Sequence, residues 1–234
     1  MDTRLTTPSS SAATMKLVGG DPCLDFVNSV GGRVGVAGSV RARVRADKLA
    51  AYHDLAAWSV HAGLVGESAG RGLVRLAAAR PREARAALGR ALELREALYR
   101  TLRALMLDRL PAPADLAVLN AEIAACRSRE RLAARPQGLR WEWRDAARQL
   151  ESPLWPVVRA AAALLTSPEL ARLRQCGGDD CGWLFLDGSR NRSRQWCTME
   201  DCGNLSKVRR FRERHARARP QSGSFTRPRD LPSE

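Results

Sequence analysis

The chain has 234 residues, 44% of them hydrophobic and 27% charged, a balance typical of a globular protein that can bury a core. Its 39 lysines and arginines outnumber 25 acidic residues, and the resulting net charge of +14 favours a polyanionic partner such as nucleic acid. No apolar run approaches the roughly 20 residues that span a bilayer, and Met1–Thr14 lacks the apolar region of a signal peptide. We therefore expect a cytoplasmic protein that makes no membrane contact.

The N-terminal part of the chain is predicted to be mainly helical. Residues 1–15 are small and polar, which is typical of a disordered tail. Asp21 and Pro22 form an N-cap and first-turn pair for a short buried helix over Cys23–Ser29. A glycine-rich loop over 31–39 follows, and Asp47 is predicted to cap a helix that runs to about Ala62.

Apolar periodicity predicts the remaining elements up to residue 172. Helical spacing indicates helices over 72–79, from Pro81 towards Pro111, from Asp115 through Cys126, and over 153–166. Between Gly138 and Arg144 the period switches to two, because Leu139, Trp141 and Trp143 alternate with charged residues, and this predicts a strand. The predicted fold class is mainly α with a few β-strands, with residues 16–172 as a helical domain.

Six cysteines in a cytoplasmic chain argue against a disulfide framework. Cys23 and Cys126 lie apart among apolar residues, as buried free thiols do. The other four form two pairs with four residues inside each pair and 15 residues between them: Cys176, Cys181, Cys197 and Cys202. Two loop-borne cysteine pairs are a usual source of the four thiolates that structural zinc prefers, so we predict one structural Zn²⁺; regulatory disulfides and unligated thiols are the alternatives.

Basic residues flank this predicted zinc site on both sides. Between the cysteine pairs, Trp183–Leu186 is predicted to be a strand, and Arg190, Arg192 and Arg194 follow at every second position, which would place them on one face. After Cys202, Asn204 is predicted to cap a helix to about Ala218, in which Leu205, Val208 and Phe211 would face the zinc module. The predicted nucleic-acid contacts are Arg190, Arg192, Arg194, Lys207, Arg209, Arg210, Arg212 and Arg214.

Two stretches of the chain resemble a known family. The segment from Asp187 through Cys197 and the later Cys202-Gly203-Asn204 resemble the CGNR zinc finger, and Cys23–Val30 resembles the signature of the accompanying ABATE domain. The resemblance implies a bacterial stress-response transcription regulator with a sensing N-terminal domain and a zinc-bound, DNA-binding module. One position departs from the pattern, because Leu205 stands where the family name has arginine.

We therefore predict a regulator with a helical ABATE-like domain over 16–172, a zinc finger over 173–219 and a second disordered tail over 220–234. DNA is the predicted partner; RNA, a homodimer and an unknown small effector are further possibilities. Asp25 and Asn28, three residues apart, are candidates for a ligand pocket, although bonding to the backbone is the alternative reading of such residues. The chain contains no nucleophile elbow, His-Glu metal pair or nucleotide-binding fingerprint, so we do not expect an enzyme. The competing prediction is an RNA- or protein-binding adaptor.

Overall fold

A computed structural model describes residues 11–35, 42–43 and 46–218 of the chain. The described part is mainly helical with short antiparallel strand pairs, and this confirms the predicted fold class. The helices are α1 (Pro22–Val27), α2 (Tyr52–His61), α3 (Glu67–Ala79), α4 (Pro81–Met106), α5 (Pro113–Arg127), α6 (Leu154–Leu165) and α7 (Asn204–Ala218). The strand pairs are β1 (Val30–Gly31) with β4 (Ala46–Asp47), β2 (Val34–Gly35) with β3 (Ala42–Arg43), β5 (Glu130–Arg135) with β6 (Gly138–Trp143), and β7 (Leu173–Gln175) with β8 (Leu184–Leu186).

The short helix α1 lies at the centre of the core. The Asp21 side chain accepts a hydrogen bond from the Cys23 N–H, and Pro22 occupies the first turn, as the sequence predicts. Leu24 and Phe26 are fully buried, and the Phe26 ring lies 5.3 Å from that of Trp58 in α2. Helices α4 and α6 pack against α1, so the Cys23–Val30 segment is enclosed by the rest of the fold.

The predicted capping role of Asp47 is wrong. Asp47 lies in β4, where its carboxylate accepts hydrogen bonds of 2.8 and 2.6 Å from the guanidinium of Arg95, a buried residue of α4. Helix α2 begins five residues later, and the carboxylate of Asp54 accepts from the N–H groups of Ala50 and Ala51 at its start. A buried arginine outweighs local capping because an unpaired buried charge is costly.

The strand predicted over 138–144 is present as β6, but its partner β5 was not predicted. The register sets Leu132 opposite Trp141 and Ala134 opposite Leu139. Residues 130–135 read Glu-Arg-Leu-Ala-Ala-Arg, which has helix-forming composition, and the pairing with β6 overrides that preference. At the base of this hairpin, the Trp143 ring packs on Trp155 of α6 at 5.7 Å.

Two predicted boundaries differ from the structure. Residues 11–14 form a turn in which Ala12 is buried, and Met15 is also buried, so the N-terminal tail predicted over 1–15 extends too far. Residues 1–10 and the predicted tail over 220–234 lie outside the described residues. At the predicted domain boundary after 172, Leu173 and Leu184 belong to the same hydrophobic core as the helices. The two predicted domains are therefore joined by a common core.

Candidate metal centre and basic helix

Each cysteine pair is carried by its own local structure. Strand β7 ends immediately before Cys176, and the chain returns through Cys181 into β8, so a strand pair holds the first two cysteines. In the second pair, Cys197 precedes a π-helical turn over Met199–Gly203, and Cys202 lies within this turn, which leads directly into α7. The metal centre therefore joins a strand pair to the first turn of the basic helix.

The four sulfur atoms form one compact cluster. All four Sγ atoms lie within 4.8 Å of one another, with 3.6 Å between Cys181 and Cys197 and 3.5 Å between Cys197 and Cys202. Sulfurs about 2.3 Å from a tetrahedral zinc ion are about 3.8 Å apart, so the observed spacing suits zinc. All four cysteines are free thiols, which is the state that metal binding needs.

Backbone groups around the cluster are placed to support negative sulfur. The N–H groups of Cys197 and Gly178 donate to the Cys176 Sγ at 3.2 and 3.5 Å, which eases the charge on a thiolate. A Cβ atom at Gly178 would lie 3.1 Å from the Cys202 Sγ, tighter than ordinary contact. Gly182 has a φ of +69°, and a Cβ atom there would lie 2.3 Å from the Arg33 carbonyl oxygen. Gly182 is therefore required at its position, whereas a side chain at Gly178 would crowd the cluster.

The crowding of these thiols explains why the cluster suits a divalent cation. A hydrogen bond from Cys181, followed by one from Cys197, lowers the pKa of Cys176 to about 2. The same contact with Cys176 raises the pKa of Cys181, and burial raises that of Cys202 to about 12. Like charges in one small site oppose each other, so four thiolates can coexist here only beside a compensating cation.

The helix after the zinc site begins differently from the prediction. Asn204 already has helical backbone angles, and its side chain donates to the Glu200 carbonyl oxygen rather than capping the helix. Thr198 is the capping residue of the preceding turn, since its hydroxyl accepts from the Asp201 N–H. The π-helical turn thus continues without interruption into α7, and the second cysteine pair orients the whole helix.

The apolar side of α7 borders an open groove instead of packing tightly on the zinc module. Leu205 and Val208, which were expected to face the module, line this groove together with Cys181, Cys197 and Cys202. Both residues and Phe211, which was expected to face the module as well, are exposed. Helix α7 packs mainly against the turn over 199–203, and its residues from 204 to 215 are exposed apart from the partly buried Ser206. A helix of 15 residues with so little tertiary support within the described chain is marginal in water by itself.

The arginine residues predicted to contact nucleic acid differ in their surroundings. Arg190 and Arg192 are exposed, whereas the Arg194 guanidinium donates to the carbonyl oxygens of Val18, Trp196 and Cys197 and lies 4.1 Å from the Phe185 ring centre. These bonds use the donors of Arg194 inside the fold, so the structure gives the predicted nucleic-acid contact of this residue no support. Alternating spacing could not distinguish it from the two exposed arginines.

The basic residues of α7 also divide into groups. Arg209 is ion-paired with Asp179 and with Glu213, one turn further along the helix. Lys207, Arg210 and Arg214 recur at spacings of three and four, so they share one exposed face. Arg212 lies on the opposite side, in an open groove of about 570 Å³ that Leu205 and Val208 also line. The spacing of Lys207, Arg210 and Arg214 thus defines the basic face of α7.

Asp25 and Asn28, the candidates for a ligand pocket, bond to the backbone, which is the alternative reading of the sequence. The Asp25 carboxylate accepts from the Gly19 N–H at 2.8 Å, and burial raises its pKa to about 6 although the Gly19 and Val18 N–H groups oppose the shift. Asn28 is fully buried, and both ends of its amide bond the backbone of Leu184 in β8. Neither residue lines the groove described above.

Several further contacts between the N-terminal part and the zinc module were not predicted. The Trp183 Nε1–H donates to the Val30 carbonyl oxygen at 2.8 Å, and the Arg33 N–H donates to the Cys181 carbonyl oxygen at 3.1 Å. Arg33 is itself buried and pairs with Glu96 of α4 through two hydrogen bonds of 2.8 Å. A chain of contacts therefore links α4 to the first cysteine pair.

Comparison with known proteins identifies the two parts of the chain. Residues 20–168 match the model of the ABATE family, whose description is "Putative stress-induced transcription regulator", and residues 172–215 match the CGNR zinc finger. No curated protein matches the chain. Within the described residues, no helix is long and apolar enough to cross a membrane. The clustered cysteines and the zinc-finger match confirm the prediction of one structural zinc ion. The resemblance noted in the sequence is therefore confirmed, and the chain belongs to the ABATE family, with a CGNR zinc finger at its C-terminal end.

Proposed function

We propose that this protein is a DNA-binding transcription regulator, with Cys176, Cys181, Cys197 and Cys202 as its zinc ligands. The observation that carries the proposal is the position of α7. The helix continues directly from the second cysteine pair and is otherwise almost fully exposed, with Lys207, Arg210 and Arg214 on one face. A zinc-anchored basic helix of this kind is suited to the phosphate backbone and the major groove of duplex DNA.

The remaining arginines differ in how directly they contact DNA in this proposal. Arg190 and Arg192, exposed in the loop between the cysteine pairs, supply further phosphate contacts. Arg209 bonds Asp179 and Glu213, so it orients the helix, whereas Arg212 lies away from the basic face. Leu205, where the family name has arginine, contributes apolar surface instead of charge at the start of α7.

Residues 16–172 form the regulatory part in this proposal. Because Asn28, Val30 and Arg33 bond directly to the zinc module, a ligand or partner that shifts α1 or α4 changes the position of the cysteine pairs and hence of α7. The regulatory signal thus acts through hydrogen-bonded contact rather than through a flexible linker. No catalytic role is part of this proposal.

Binding of the zinc-loaded full chain to duplex DNA, structured RNA and heparin across a salt series tests the proposal. We expect sequence-selective retention of duplex at physiological salt. Replacing Lys207, Arg210 and Arg214 by alanine should weaken binding and reduce the salt slope by about three, since each lost phosphate contact contributes roughly 0.9. The matched control replaces three exposed arginines elsewhere on the helical part, Arg75, Arg82 and Arg85, with the same change of net charge.

The outcomes separate DNA regulation from the alternative. If both triple variants lose the same amount of DNA affinity, α7 does not make the DNA contact. Binding that is independent of sequence and lost at physiological salt would contradict operator recognition. The exposed Leu205, Val208 and Phe211 favour a second function, an RNA- or protein-binding adaptor. Selective retention of RNA, or of neither nucleic acid, would support that function.

A further inference from the structure

The hairpin formed by β5 and β6 carries a second exposed apolar surface. Within the described chain, Leu139 is 70% exposed, Trp141 60% and Leu132 55%. In a strand pair, alternate residues share a face, and the register places these three side chains with Ala134 on the same face. We call this set of four residues the hairpin face. A contiguous apolar surface of this kind marks a site of association.

The opposite side of the hairpin is polar and internally paired. Arg131 and Arg135 both pair with Glu142 across the strands. At the base, Glu130 pairs with Arg127 and Arg159, so its charge is also compensated. The hairpin face itself therefore presents no uncompensated charge, and a polyanion has nothing to bind there.

Charge distinguishes this surface from the exposed apolar side of α7. Over residues 130–143 the hairpin has three arginines and two glutamates, a net charge of +1 in a chain of +14. Over 204–215, α7 carries five basic residues against one acid. Two copies of this chain therefore repel each other less at the hairpin than at α7, because like charges oppose association.

The shape of the hairpin face is complementary to a second copy of itself. Trp141, the largest side chain of the hairpin face, and Ala134, the smallest, are diagonal neighbours across the strand pair. A two-fold rotation places Trp141 of each copy against Ala134 of the other, which is the isologous contact that most homodimers use.

The exposed area also fits such a contact. One tryptophan and two leucines, each more than half exposed, present on the order of 300 Å² of apolar surface per copy. A standard interface buries roughly 800 Å² per partner, with an apolar centre and a polar rim. The hairpin face supplies such an apolar centre.

We propose that the hairpin face is the self-association surface of this protein, on which a second copy docks through Leu132, Leu139 and Trp141. The contact is of modest area, which corresponds to a concentration-dependent dimer. The self-association itself is independent of the proposed function, but the role of the dimer rests on it. A two-fold dimer would present two α7 helices to two half-sites of DNA.

Sedimentation equilibrium of the zinc-loaded full chain without DNA tests this inference. We expect a monomer–dimer equilibrium whose dissociation constant rises at least about tenfold in Trp141→Glu, since a central aromatic residue carries much of such an interface. Leu139→Gln is a milder second variant, which guards against misfolding of the hairpin. The matched control is Leu110→Glu, because Leu110 is 94% exposed and lies outside the hairpin.

The outcomes test the docking surface separately from DNA binding. A chain that stays monomeric at every concentration, or a dimer that both hairpin variants leave intact, would overturn the docking surface. An equal effect of Leu110→Glu would show general apolar association instead. Binding of the variants to non-specific duplex DNA is measured in parallel. If the salt slope of their DNA affinity per chain equals that of the unmodified protein, DNA binding is retained even where the dimer proposal fails.

Discussion

The side chain of Asn28 and the backbone of Leu184, 156 positions apart, exchange two hydrogen bonds of 2.8 Å each. The Asn28 Nδ2 donates to the Leu184 carbonyl oxygen, and the Leu184 N–H donates to the Asn28 Oδ1. The amide of α1's C-cap residue thus acts as a strand partner for β8, which leads away from the first cysteine pair. This bond pair fixes the zinc module on the helical core.

Replacing Asn28 by alanine should destabilise both parts of the chain. Both backbone groups of Leu184 would lose their side-chain partner in a buried position, at a cost of about 2–4 kcal/mol of unfolding free energy. We also expect a weaker hold on zinc, because β8 would no longer be fixed. Urea unfolding and competition with a zinc chelator measure the two effects. Asn191→Ala, at an exposed position, is the control, and equal behaviour of the two variants would contradict the role of Asn28.

Loss of zinc should affect the helical core as well as the module. Metal analysis should find one zinc per chain, and Cys197→Ser should lose it, whereas Cys126→Ala, which changes a cysteine outside the cluster, should keep it. Because Leu173 and Leu184 lie in the common core, we expect the chelated chain to melt at a lower temperature throughout. Hydrogen exchange of α4 before and after chelation checks this, and unchanged α4 protection would refute it.

Arg194→Ala and Arg192→Ala should separate structure from nucleic-acid contact. Arg194 donates to three carbonyl oxygens, so its loss should cost about 2–4 kcal/mol of stability. Arg192 is exposed, so its substitution should leave thermal melting almost unchanged and act on DNA affinity alone. Melting curves and salt-dependent binding of both variants measure the difference. A stable Arg194→Ala chain with weakened DNA binding would reverse the assignment.

The buried carboxyl group of Asp25 should give stability a pH dependence. Burial raises its pKa to about 6, above the value of about 3.9 in an unfolded chain. The folded state therefore keeps a proton that the unfolded state has released, and stability should fall as pH rises through this window, then level off above about pH 7. Asp25→Asn should reduce the slope between pH 5 and 7. Urea unfolding with excess zinc measures it, with Glu67→Gln at an exposed position as control; an unchanged slope would contradict this origin.

Sequence patterns predicted the parts of this molecule that depend on local spacing. The helices, the strand over 138–143 and the clustering of four cysteines follow from periodicity and from two equal gaps. Several of the differences from the structure involve partners far along the chain. Asp47 bonds Arg95 instead of capping a helix, Arg194 bonds Val18 although it was expected to contact nucleic acid, and Asn28 bonds the backbone of Leu184. A polar side chain has the same sequence signature in each role, and only the tertiary fold decides which partner it meets.

The core shared by Leu173, Leu184 and the helices has a consequence for the modularity of this protein. Many zinc fingers can be excised and transplanted as self-sufficient cassettes. Residues 172–215 cut from this chain would instead expose Leu173 and Leu184 and lose the hydrogen-bonding partners that Asn28 and Val30 provide. A chimera that places this finger on a foreign sensor would therefore need to bring the Cys23–Arg33 segment with it.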